Sequence, residues 1–158
     1  MIRVLLVCMG NICRSPLAAS ALHAQIEKGG LAGRIEVDSA GTYAGHQGEK
    51  ADPRAVAVAS ARGYQQIHRE RARRVSRQDF ERFDLLLAMD RDNLSNLQQH
   101  CPPEHAQKVH LFLDFAGVGA GAEVPDPYYG NAAGFERVMA LCDAGAEGVL
   151  RRLASVTG

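Results

Sequence analysis

The run Ile2–Val7 (IRVLLV) is nearly all apolar, and it passes directly into the polar stretch Cys8–Ser15 (CMGNICRS) and then Pro16. A short, almost continuous apolar run marks a central strand covered on both faces. Ser15-Pro16 predicts a helix start, with serine as N-cap and proline at the first helical position. A buried strand that turns through such a loop into a helix brings backbone N–H groups together at the helix N-terminus, where an anion is favoured. This junction points to an α/β architecture with an anion site at the carboxyl end of a strand.

The rest of the chain repeats the alternation. Ala18, Ala21, Leu22 and Ile26 follow helical spacing until Gly29-Gly30. Arg34–Ser39 reads as a second strand, Tyr43–Asp52 as a loop, and Asp52-Pro53 as the start of a helix through Ala61 that Gly63 ends. Asp84–Met89 is a third strand, followed by a polar turn at Asp90–Asn93 and a helix from about Leu94. Lys108–Leu113 offers a fourth strand. Gly117–Gly130 is a Gly/Pro-rich loop, and from Gly134 an apolar stripe runs through Phe135, Val138, Met139, Cys142, Ala146, Val149, Leu150 and Leu153. The expected fold is a four-stranded parallel sheet with helices on both faces, in a single domain over residues 1–158 with no internal repeat.

Composition narrows the function classes. The chain has 158 residues, 46% of them hydrophobic and 23% charged, which excludes disorder over its whole length. Lys+Arg and Asp+Glu are both 18, so the formal net charge is zero. A whole-surface grip on nucleic acid or anionic membrane is not expected. The charged run Arg69–Arg74 (RERARR) reads as a solvated face. No apolar run reaches the ~18–20 residues of a membrane span, and the N-terminal run is too short for a signal peptide. Four scattered cysteines do not make a secreted disulfide framework. The expected location is the cytoplasm.

The chemistry lies in the loop. Cys8 sits at the floor of the expected amide nest, where helix N-terminus, amide dipoles and Arg14 favour thiolate over thiol. Gly10 and Asn11 tolerate the positive φ that such a nest demands. Arg14 offers the flat fork that holds two phosphate oxygens, and Ser15 can donate its hydroxyl to the sulfur. A nucleotide-binding loop would need Gly-Lys-Ser/Thr, and no lysine occurs here. His100, Cys101, His105 and His110 lack zinc-ligand spacing, and Pro102-Pro103 interrupts them.

The chain resembles the low-molecular-weight protein tyrosine phosphatases. The resemblance rests on VCMGNICRSPLA at Val7–Ala18, DSAGT at Asp38–Thr42, FDLLLAMD at Phe83–Asp90 and DPYYG at Asp126–Gly130. It implies a flavodoxin-like sheet, no metal or organic cofactor, and hydrolysis of phosphotyrosine through a phosphocysteine intermediate. Cys8 is then the nucleophile, Arg14 the phosphate clamp and Asp126 the general acid and base. The phosphate-binding loop comprises Met9, Gly10, Asn11, Ile12, Cys13 and Ser15, supported by Ser39 and Asp90. Tyr43, His46, Tyr128 and Tyr129 form the substrate rim. Cys13, five residues from Cys8, is a redox partner for it.

The sequence departs from the family pattern twice. Many relatives carry a tryptophan before the histidine of the rim, where this chain has Gly45, and Tyr43 is the candidate replacement. Glu70 stands where relatives often place a histidine that steadies the loop asparagine. It either bonds in that histidine's place or yields it to His68.

Three other activities fit the sequence less well. Arsenate reduction needs redox cysteines after the third strand, where AMDRDN has none before Cys101. A non-catalytic phosphotyrosine-binding module would be expected to lose Cys8 or Asp126. Arginine phosphatases resembling this chain carry threonine where Ile12 offers an apolar surface. The expected partner is a phosphotyrosine-bearing protein, tyrosine kinases among the candidates, acted on by a monomer.

Overall fold

The computed structural model describes residues 1–157. Four strands, β1 (Ile2–Cys8), β2 (Ile35–Gly41), β3 (Leu85–Ala88) and β4 (Val109–Leu111), form one all-parallel sheet in the order β2-β1-β3-β4. The helices are α1 (Arg14–Lys28), α2 (Pro53–Ala61), α3 (Arg77–Arg82), α4 (Arg91–His100), α5 (Phe112–Phe115) and α6 (Ala132–Thr157). Short 3-10 segments span Gln66–His68 and Pro103–Lys108.

Burial on both faces explains why β1 is apolar nearly throughout. Val4, Leu6 and Cys8 face a core shared with Leu17, Leu22, Phe112, Phe135 and Met139 of α1, α5 and α6. Leu5 and Val7 face a second core with Phe80, Phe83 and Leu97 of the α3 and α4 side. Successive residues of a strand point to opposite faces, so a strand between two helical layers cannot alternate with polar residues.

Four expectations shift, each for a local reason. Ser15 is not the N-cap of α1: Cys13 holds that place without a side-chain bond, Arg14 opens the helix and Pro16 is third. The Ser15 hydroxyl is thereby free for the loop. Asp90–Asn93 is the start of α4 rather than a turn, because the Asp90 side chain accepts from the Asn93 N–H at 2.8 Å and caps the helix. The fourth strand stops at Leu111, and Phe112–Phe115 coils into α5, which buries Phe112, Leu113 and Phe115. Strand β2 extends to Gly41 and pairs it with Cys8. That pairing needs glycine, since a Cβ at residue 41 would lie 2.6 Å from the Met9 carbonyl oxygen. The start of α2 holds as expected, with Asp52 capping Arg54 N–H and Pro53 first in the helix.

Candidate active site

The carboxyl ends of β1 and β2 and the start of α1 enclose a cavity of about 330 Å³. Cys8, Met9, Gly10, Ile12, Cys13 and Arg14 form its base, and Tyr43, His46, Asp126, Tyr128 and Tyr129 form its rim. Ser15 and Asp90 stand behind this wall and hydrogen-bond to Cys8 and Arg14, and Ser39 reaches it through Asn11. The sequence therefore picked out residues that the fold brings to one place.

The loop closes around the sulfur. The Asn11 N–H donates to Cys8 Sγ at 3.2 Å, and Ser15 Oγ lies 3.0 Å from the same sulfur. Among the described residues Asn11 is the one non-glycine with positive φ, at 57°. Gly10, expected to share that conformation, does not; it sits against His46, whose ring would be 3.1 Å from an added Cβ.

The left-handed turn at Asn11 is held from all sides. Its Nδ2 donates to Ser15 Oγ at 2.7 Å and to Ser39 Oγ at 2.9 Å, while its Oδ1 accepts from the Arg73 N–H at 3.0 Å. Ser39 Oγ in turn donates to Glu70 Oε1 at 2.5 Å, and Glu70 Oε2 accepts from Gln66 Nε2 at 2.9 Å. Glu70 thus supports the loop asparagine through Ser39, whereas His68 pairs with Ser60. Burial pushes the Glu70 carboxyl above its ordinary range, against the opposing pull of the Ser39 and Gln66 donors. The Arg69–Arg74 run is consequently no simple solvated face: Glu70 and Ala72 turn inward and Arg73 is half-buried between Asp79 and Asp38.

Arg14 is buried and fixed by two anchors. Nη1 donates to Asp90 Oδ2 at 2.6 Å and to the Val124 carbonyl at 3.0 Å, and Nη2 stands 3.8 Å from Asp126 Oδ2. Burial works against its charge, but the Asp90 hydrogen bond and the adjacent Cys8 hold the guanidinium above its ordinary value. One carboxylate, Asp90, both starts α4 and aims the arginine.

Asp126 is partly exposed at the cavity mouth, and its Oδ1 accepts from the Tyr128 N–H at 3.0 Å. Tyr128 and Tyr129 meet edge to face at 5.0 Å, and Tyr128 lies 6.4 Å from His46. Across the mouth, Tyr43 occupies the space that a side chain at residue 45 would take: an added Cβ on Gly45 would fall 2.1 Å from its ring. Gly45 and Tyr43 are thus a matched pair, and the second wall of the cavity is Tyr43.

Arg54 was not singled out from the sequence, yet it ties the rim to α2. It pairs with Asp52, stacks 5.7 Å from the Tyr128 ring and 4.5 Å from Phe135, and donates to the Gly130 carbonyl at 3.3 Å. Apart from Asp52 its partners lie far along the chain, Gly130 at 76 residues, so no local pattern could reveal its role at the rim. Among the described residues no group of three or more His, Cys, Asp or Glu is placed to hold a metal ion, and the His100–His110 segment forms no such cluster. No helix among them is long and apolar enough to cross a membrane.

A cysteine held by a backbone amide and a hydroxyl, beside a buried arginine, defines the class of cysteine-dependent phosphatases by its site. Residues 3–157 match the family model for the low molecular weight phosphotyrosine protein phosphatases. The chain is 43% identical over 151 residues to a low molecular weight protein-tyrosine-phosphatase of Streptomyces coelicolor, covering 94% of this chain and 91% of that one. It is 44% identical over 135 residues to the low molecular weight phosphotyrosine protein phosphatase of Schizosaccharomyces pombe, covering 85% of each. The crystal structure of a protein tyrosine phosphatase from Entamoeba histolytica superposes with a TM-score of 0.93 at 38% identity, covering all of both chains. The chain belongs to the low molecular weight phosphotyrosine protein phosphatase family, whose members are phosphatase hydrolases, and it has their flavodoxin-like fold.

Proposed function

We propose that this protein hydrolyses phosphotyrosine in proteins through a phosphocysteine intermediate. The observation that carries the reading is the convergence of Asn11 N–H, Ser15 Oγ and the Arg14 side chain around Cys8. In the first step the Cys8 thiolate attacks phosphorus in line, forming the S–P bond as the P–O bond to the tyrosine ring breaks. Asp126 gives its proton to the departing phenolate oxygen. Arg14 and the loop N–H groups hold the phosphoryl oxygens through both steps. In the second step Asp126 takes a proton from water as it attacks phosphorus. The S–P bond breaks, phosphate leaves, and the Ser15 hydroxyl stabilises the returning thiolate.

Three aromatic rings and the apolar side chain of Ile12 line the cavity, which suits a phenyl ring better than a guanidinium. The substrates proposed are phosphotyrosine-bearing proteins, tyrosine kinases among them. The four unpaired cysteines agree with action in the reducing cytoplasm, and we take the acting species to be the single-domain monomer. The test compares kcat/KM on matched phosphotyrosine, phosphoarginine and phosphoserine peptides. Phosphotyrosine should lead, and Ile12→Thr should narrow its margin over phosphoarginine. A wild-type preference for phosphoarginine would overturn the tyrosine assignment while sparing the cysteine mechanism.

A further inference from the structure

A second cavity, of about 320 Å³, lies on the α3 and α4 side of the sheet. It is nearly as large as the cavity holding Cys8. Its apolar lining is Val75, Phe80 and Leu97; Phe80 and Leu97 are each 1% exposed and belong to the second core. Its polar lining is one-sided in charge. Arg74, Arg77 and His100 border it, together with the neutral side chains of Thr42, Ser76 and Asn96, and no carboxylate does.

The cations are free to bind. Among the described residues, the ion pairs of this region go to Arg73, which takes Asp38 and Asp79, while the side chains of Arg74 and Arg77 hold neither a carboxylate nor a carbonyl. Asp79, the acid closest in sequence, is spent on Arg73 and on the Ser76 N–H and hydroxyl. The His100 ring donates through Nδ1 to the Asn96 carbonyl at 2.8 Å, which leaves Nε2 unengaged. Two unpaired guanidiniums over an apolar floor select a ligand with an anionic head and a flat apolar body.

We infer that this cavity binds a small aromatic carboxylate or aryl phosphate, at a site distinct from the catalytic one. The two sites are neighbours through consecutive residues. Tyr43 lines the catalytic cavity and Thr42 the second one, and the Thr42 N–H donates to the Cys8 carbonyl at 2.9 Å. Carboxylate and phosphate heads share the chemistry that a guanidinium recognises, and volume limits the body to one or two fused rings.

The experiment titrates the full-length, 15N-labelled protein with 2-naphthoate and follows its amide resonances. Saturating inorganic phosphate is present throughout, so that the catalytic loop is occupied. Saturable shifts are expected at Thr42, Val75, Ser76, Arg77 and Leu97. The neutral analogue 2-naphthalenemethanol should bind at least about tenfold more weakly, because it lacks the charge-assisted bonds. The Arg74→Met/Arg77→Met variant keeps the aliphatic stems, and it should lose affinity by a similar factor while hydrolysing p-nitrophenyl phosphate at close to the wild-type rate. Titration with phenyl phosphate on the Cys8→Ser variant, again with phosphate present, tests the other head group. Three results would overturn the inference: shifts confined to Met9–Ser15 and Tyr128, equal affinity for acid and alcohol, or unchanged affinity in the double variant.

Discussion

The Ser15 hydroxyl stands 3.0 Å from the Cys8 sulfur, and its proton is directed there by a chain of hydrogen bonds that ends on Glu70. Ser39 donates to the Glu70 carboxylate and must therefore accept from Asn11. Both protons of the Asn11 amide are then used, one on Ser39 and one on Ser15. Ser15 accepts from Asn11, so its own proton is left for the sulfur; its other acceptor, the Ala40 carbonyl, is further away at 3.4 Å. The Arg73 N–H on Asn11 Oδ1 fixes which way round that amide stands, and Glu70 fixes the direction of the Ser39 proton.

Ser15→Ala removes the last donor of that chain while leaving Arg14 and the loop amides in place. A hydrogen bond to a charged group contributes about 1.5–3 kcal/mol, so kcat should fall about 10- to 100-fold. Competitive inhibition by inorganic phosphate should stay within a few-fold of wild type. Steady-state kinetics on p-nitrophenyl phosphate measures both, and an undiminished kcat would remove Ser15 from the thiolate's support.

Glu70 links the site to the stability of the fold. Its carboxyl is pushed above the ordinary range, so the folded protein holds that proton more tightly than the unfolded chain does. Its contribution is full below the ordinary glutamate range and is lost as pH rises through the folded value. Urea denaturation of wild type and Glu70→Gln should therefore show the difference moving in the variant's favour from about pH 4 to about pH 7. A difference that stays flat with pH would contradict a displaced Glu70.

Asp126→Ala should discriminate between leaving groups. Phenolate needs its proton, and the loss there should be about 100-fold or more, whereas p-nitrophenolate leaves readily without one. Comparing kcat on phenyl phosphate and p-nitrophenyl phosphate decides the matter. Equal losses would mean that another group supplies the proton.

Cys13 is buried beside Cys8, and burial, aided by Asp52, pushes its thiol up to about 12. Peroxide should take Cys8 first, giving a sulfenic acid and water. Cys13 then attacks that sulfur, the S–S bond forms, and a second water carries off the sulfenic oxygen with the Cys13 proton. A thiol titrating near 12 is ionised to only about one part in 10⁵ at pH 7, so the second step should quicken about tenfold per pH unit from 7 to 9. Mass spectrometry of alkylation-quenched samples follows the Cys8–Cys13 link. Cys13→Ser should drive Cys8 on to sulfinic acid, and the absence of any link in the wild type would refute the pairing.

The sequence by itself determined the parallel sheet, the loop and its residues. Each of these rests on neighbours in the chain: an apolar run for β1, Asp52-Pro53 for the start of α2, and eight consecutive residues from Cys8 to Ser15 for the base of the site. Only the tertiary structure decided what stands behind them. Whether Ser15 caps a helix or serves the sulfur depends on Asn11 and Ser39, and whether the Arg69–Arg74 run is solvated depends on Asp38 and Asp79. Tyr43 fills the second wall because Gly45 leaves room for its ring, and Arg54 reaches Gly130 across 76 residues of chain. Side-chain directions and long-range partners follow from how helices pack on the sheet, and packing distances are not written in local residue spacing.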